Sequence, residues 1–161
     1  SPEARVTVLD LPQQIRLMQG NIQGHRGNER ITGYPIDLLD EQQAFPLTDD
    51  GPDAIWMSQF LDCFSMPQIV SILRRAAKAM KSQTRIYIME TLWDRQKYES
   101  ATLCLTLTSL YFTALANGNS KMYNTEDMEQ CIHDAGLEIE TIHDHLGQGH
   151  SIIVVRQPKK K

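Results

Sequence analysis

Residues 6–9 (VTVL) read as a strand that stops at Asp10 and passes at once through Leu11-Pro12 into a helical stretch. This order of strand, acid and helix constrains the fold more than any other feature of the chain. Open α/β sheets bind ligands outside the carboxyl ends of their strands, and a carboxylate there accepts two hydrogen bonds at once from a ribose diol. A nucleotide-binding sheet of this kind places a strand and a Gly-rich turn about 20 residues before such an acid. Only five residues precede Val6. The chain therefore reads as the later part of a domain, and the parent protein is expected to continue upstream into that strand and turn.

The alternation continues along the chain. Pro12 sits where a first helical turn tolerates a missing N–H, and Ile15, Leu17, Met18 and Ile22 supply an apolar face as far as Gly24. Residues 31–36 read as a short strand ending at Asp37, and residues 41–52 as loop. Residues 53–58 (DAIWMS) have the length and apolarity of a strand; Ser65-Met66-Pro67 then caps and opens a helix carrying Ile69, Val70, Ile72, Leu73, Ala76, Ala77 and Met80. Residues 85–89 form a β-rich run that stops at Glu90, residues 93–95 a connection, and residues 98–116 a long helix closed by Asn117-Gly118-Asn119. Asn124 or Thr125 caps a helix ended by Gly136, and residues 137–144 and 151–155 are two strands joined by a Gly-rich turn. Alternating β/α units that close on a hairpin give an α/β fold whose sheet is mostly parallel with an antiparallel strand at one end.

Composition excludes several classes of function. With 161 residues and 41% hydrophobic content the chain suits one core rather than two. Sixteen basic against 20 acidic side chains, a formal charge of −4, disfavour a nucleic-acid surface, and Lys159-Lys160-Lys161 reads as a solvated tail. Cys63, Cys104 and Cys131 form no CxxC pair and signal neither zinc nor disulfides, which fits a cytoplasmic setting. The apolar stretch 101–116 is broken by Thr and Ser and shorter than the roughly 20 residues a bilayer requires, so it is expected to be a buried helix with no membrane partner.

Five segments, VLDLP (8–12), YPIDLLDE (34–41), DAIWMSQFLDCFS (53–65), RIYIMET (85–91) and KMYNTEDMEQCIHDAGL (121–137), together resemble class I S-adenosylmethionine-dependent methyltransferases. The resemblance is to the O-methyltransferase family of plant caffeate and flavonoid enzymes and bacterial polyketide-tailoring enzymes. It implies that residues 1–161 are a partial catalytic domain with a Rossmann-like sheet lacking its first strand, a domain that methylates a hydroxyl of a small aromatic molecule and forms a homodimer in the full-length protein. It also implies that Asp10, with Leu11 beside it, takes the ribose hydroxyls of S-adenosylmethionine, the alternative being a helix N-cap. Asp37 takes the adenine amino group and Leu38 packs on the ring, the alternative for Asp37 being a turn. Ser58 falls where the family commonly has a Lys beside the cofactor.

At the catalytic position the chain departs from that family. The His that serves as general base falls on Asp62, and the Trp of its motif on Phe64. Glu90 matches one of two acids that orient the His, while the other falls on Met122. An ordinary Asp titrates near ~3.9 and a phenol near ~10, so Asp62 needs burial to serve as a base; otherwise it holds the following turn, and positioning alone drives the reaction. Trp93, Tyr98, Tyr111, Phe112, Met122 and Tyr123 fall on the acceptor pocket of the family or pack as core. His143, His145 and His150 lack a completing acid or Cys, so no metal is expected and they read as solvent or turn residues. Two other functions stay open at this point, a divergent member that binds a cofactor or small molecule without transfer and a dinucleotide-dependent oxidoreductase.

Overall fold

Strands and helices follow one another in the expected order in a computed structural model, described over residues 3–47, 51–116 and 118–159. Two units are distinguished, Ser1–Pro46 and Leu47–Lys161.

In the first unit, β1 (Val6–Asp10) leads through Leu11 into α1 (Pro12–Ile22), and the chain returns through a 3₁₀ turn at Asn28–Arg30 to β2 (Ile31–Pro35). The strands are parallel, with Val6 opposite Ile31 and Asp10 opposite Pro35. Pro12 opens α1, where its missing N–H costs nothing, and the helix turns Ile15 inward. Gly33 of β2 lies directly beneath it. A Cβ at position 33 would stand 2.3 Å from Ile15 Cγ2.

The second unit contains β3 (Ala54–Ser58), α2 (Met66–Ala79), β4 (Arg85–Glu90), α3 (Glu99–Tyr111), α4 (Thr125–Asp134), β5 (Glu138–Leu146) and β6 (His150–Arg156). Its sheet runs β3-β4-β6-β5; β3 and β4 are parallel, β6 is antiparallel to β4, and β5 is antiparallel to β6. Strand periodicity puts Ile86, Ile88 and Glu90 on one face with Val155, Ile153 and Ser151 across the ladder, and all six are buried. The apolar stripe of α2, Ile69, Ile72, Leu73 and Ala76, is wholly buried, each Ile or Leu contributing about 1.5–3 kcal/mol. Gln68 Oε1 accepts the Ser65 N–H at 2.9 Å at the start of α2. A Schellman closure ends α4, in which Leu137 N–H donates to Ile132 O and Gly136 N–H to His133 O, with Gly136 at φ +77°.

Among the described residues the strands form two ladders, β1 pairing only with β2 and β3 only with β4, as expected of a sheet that lacks a strand beside β1. One expectation changes. The long helix is not buried. No residue of α3 is in the core, and Leu103, Leu107, Leu110, Tyr111 and Leu115 are each more than half exposed. Its Thr106, Thr108 and Thr113 hydroxyls donate to carbonyls one turn back. No helix of the described residues is long and apolar enough to cross a membrane. Lys160, Lys161 and Asn117 lie outside the described residues, as do 48–50 of the expected loop.

The packing of Gly33 under Ile15 generates a test. The Cγ2 branch is fixed to its own Cβ and has no flexible end to swing away, so Gly33→Ala should destabilise the protein by about 1–3 kcal/mol, measured as a lowered urea midpoint. An unchanged midpoint would show that α1 is free to shift away from β2.

Candidate active site

Because β4 alternates, the parity that buries Ile86 and Ile88 also buries Glu90, at 3% exposure, at the carboxyl end of the strand. Its Oε1 accepts the backbone N–H groups of Phe60 and Leu61 at 2.9 and 2.8 Å. Its Oε2 is buried with no hydrogen-bond partner among the described residues. The two donors are delivered by the turn after β3. There Gln59 N–H donates to Met89 O at 2.8 Å, and Gln59 takes φ +45°, which swings the next amides toward the sheet. A 3₁₀ turn, Leu61–Cys63, then carries Asp62.

Burial, and after it the charge of Asp62, push the Glu90 carboxyl up to about 7 against the opposing pull of the Phe60, Leu61 and Asp62 amides. Burial likewise raises Asp62, opposed by the Cys63 thiol, whose Sγ lies 3.6 Å from Asp62 Oδ1. The thiol is itself pushed up by burial and by the adjacent carboxylate. The turn therefore sets the Asp62 carboxyl to act on Glu90 at the end of β4, with Glu90 holding a proton to near neutral pH and Asp62 more basic than an ordinary Asp. Such a pair takes up and holds a proton at physiological pH.

Residues 120–123 wall this turn. Lys121 N–H donates to Asp62 O at 3.0 Å, and Tyr123 Oη donates to Phe64 O at 2.6 Å. Tyr123 is core, its phenol raised by burial, whereas Tyr98 and Tyr111 are exposed. Met122, where the resemblance puts the second orienting acid, receives the Thr91 hydroxyl at its Sδ, 3.5 Å away. Ser58 is exposed at the last position of β3, opposite Met89.

In the first unit, Asp10 and Asp37 follow adjacent parallel strands. Asp10 is exposed and its Oδ1 accepts the Leu11 N–H at 2.7 Å; Leu11, not Asp10, caps α1, and no side chain caps that helix. The N-cap alternative is thus removed. Asp37 Oδ1 accepts the Leu39 N–H at 2.9 Å and its carbonyl accepts Asp40 N–H, so the residue closes a turn, with half-buried Leu38 inside it. The carboxyl-side placement matches expectation for both acids.

Sequence reading missed Gln59 and His150, whose Nε2 atoms lie 2.8 Å apart. His150 is half-buried and engaged, while His143 and His145 are exposed as expected. The left-handed backbone of Gln59 has no signature in its residue type, so nothing local pointed to it. No group of three or more His, Cys, Asp or Glu among the described residues is arranged to hold a metal ion.

No protein-family model and no curated protein sequence matches the chain. Solved structures do. The chain is similar to the mitomycin 7-O-methyltransferase MmcR, with 23% identity and a TM-score of 0.81 over 98% of this chain and 43% of that one. The O-methyltransferase NcsB1 from neocarzinostatin biosynthesis, in complex with S-adenosyl-L-homocysteine and 1,4-dihydroxy-2-naphthoic acid, matches with 19% identity and a TM-score of 0.75 over 94% and 42%. The chain has their fold. It spans less than half the length of either. A structure described as a pericyclic reaction enzyme shares the fold as well, with 20% identity and a TM-score of 0.74 over 96% of this chain and 36% of that one.

The buried carboxyl gives a pH test. Glu90 holds its proton to about pH 7 when folded against 4.5 for the ordinary group, so the folded state binds more protons between those values and stability falls as pH rises through that window. Glu90→Gln keeps an acceptor for Phe60 and Leu61 and carries no charge. Urea unfolding should show it near wild type at pH 5 and more stable at pH 8, by up to about 3 kcal/mol. A variant that follows the pH dependence of wild type would show that Glu90 ionises freely.

Proposed function

We propose that this chain is the catalytic part of an S-adenosylmethionine-dependent methyltransferase that methylates a hydroxyl of a small aromatic molecule. The observation that carries the reading is the pairing of Glu90, at the end of β4, with Asp62 on the turn whose amides it accepts, and the fold shared with MmcR and NcsB1 supports it. Asp10 presents an exposed carboxylate that fits a ribose diol, with Leu11 beside it; Asp37 and Leu38 form a turn suited to an adenine edge and face, and Ser58 is a small neutral neighbour of the cofactor. When bound, the cofactor supplies a methyl group activated on a sulfonium.

The side chains of the pair divide the proton work. Glu90 keeps its proton near neutral pH, which leaves Asp62 as the charged member. Asp62 takes the hydroxyl proton of the acceptor, helped by a burial that raises its affinity above that of an ordinary Asp. Glu90 acts through Asp62 and through the turn that carries it. A small-molecule acceptor and, in the full-length protein, a second copy of the chain are the partners of this reading. A second reading, binding without methyl transfer, is favoured by Met122, whose thioether meets Thr91 where an orienting acid would stand.

Two variants test these assignments in the full-length protein. Asp10→Ala should weaken S-adenosylmethionine binding by roughly 1.5–3 kcal/mol in calorimetry, the scale of hydrogen bonds to a charged group; unchanged affinity in a folded variant would remove Asp10 from the site. Asp62→Asn should keep cofactor affinity and lower turnover by about 10²–10⁴-fold. A variant within about threefold of wild type and with the same pH profile would leave positioning, not proton removal, as the source of rate.

A further inference from the structure

We propose that Gln59 and His150 are positioning residues, a strap between two loop tips that keeps the Phe60 and Leu61 amides on the Glu90 carboxyl. The proposal deepens, and rests on, the reading of Asp62 and Glu90 as the working carboxyl pair. Gln59 has φ +45°, a conformation that a residue other than Gly or Asn keeps only where its surroundings hold it. Its backbone is pinned to β4 by the 2.8 Å bond to Met89 O, and its side-chain Nε2 lies 2.8 Å from His150 Nε2. The next two residues are the donors to Glu90 Oε1. Release of Gln59 would let its φ relax and would turn both amides away.

His150 is itself fixed from behind. It opens β6 directly before Ser151, which lies opposite Glu90 in the ladder. Ser151 Oγ donates to Asp144 Oδ1 at 2.8 Å, and Arg95 Nε donates to the same carboxylate at 2.6 Å, which holds Asp144 down to about 2 and charged throughout the physiological range. Gln96 Nε2 donates to Gly149 O at 2.9 Å and to Leu92 O at 2.7 Å, tying the hairpin tip to the loop after β4. Gly149 has φ +96°, and a Cβ there would stand 2.4 Å from Gln96 Oε1, so this contact requires glycine. The chain of contacts runs from Arg95 and Gln96, through the hairpin and His150, to Gln59 and the two amides. Its output is the proton affinity of Glu90, because hydrogen bonds to the ionised form lower it. The other titratable groups acting on or beside Glu90 are Asp62 and Cys63 of the same turn; across the ladder stands the uncharged Ser151.

The test is a ¹³C-carboxyl NMR titration of Glu90 in the full chain, with thermal melting to confirm that each variant is folded. Gln59→Ala has no side chain to tether and keeps the cost of a positive φ, so the backbone relaxes once the strap is gone. Gln59→Ala and His150→Ala should each raise the Glu90 midpoint by about one pH unit through loss of donors that favour the anion. His150→Gln, whose amide oxygen accepts from Gln59, should return it toward the wild-type value. A midpoint unmoved in either Gln59→Ala or His150→Ala, or raised equally in all three variants, would overturn the strap. The readout needs no turnover, so the strap and the assignment of Asp62 as base fail on different measurements.

Discussion

A carboxyl group forced inward by strand parity governs the second unit. Glu90 follows Ile86 and Ile88 on the buried face of β4, and its Oε2 finds no partner among the described residues. Burying a charge there without full compensation costs several kcal/mol, so the group keeps its proton to near neutral pH. What surrounds it follows from that cost. The backbone after β3 adopts an unfavourable φ at Gln59, and in doing so supplies two amides to one carboxyl oxygen.

The same constraint sets the chemistry available nearby. Two carboxyls that act on each other, one at the end of β4 and one on the turn after β3, do not both ionise easily, and the deeper one retains the proton. Asp62 is partly desolvated on a short turn, held by Lys121 N–H on its carbonyl and, two residues on, by Tyr123 on Phe64 O. In the proposed reaction, a base built this way depends on main-chain geometry more than on a partner side chain, and Met122, where the resemblance puts a second acid, leaves that group in place.

Much of the architecture was legible because it follows from local pattern. The acid that ends β1, the Ser65 start of α2, the Gly136 stop and the closing hairpin each rest on residues within one turn or one strand, and each stands where periodicity put it. Glu90 was legible for the same reason, since alternation from Ile86 fixes its side of the sheet. The strap was not, because Gln59 and His150 are 91 residues apart and neither has a neighbour that announces the contact. The exposure of α3 was hidden too: an uncharged run of Leu and Thr reads as core, yet burial depends on what packs against a helix, which its own sequence does not encode.

The most direct measurement follows a labelled methyl group. The full-length protein would be incubated with S-adenosylmethionine carrying a deuterated methyl and a panel of phenols, naphthols and alkyl alcohols, and the small molecules analysed by mass spectrometry. A product bearing the labelled methyl on an aromatic hydroxyl oxygen is expected. Recovery of every acceptor unmodified, with cofactor bound and intact, would contradict it and leave a binding protein with a methyltransferase fold.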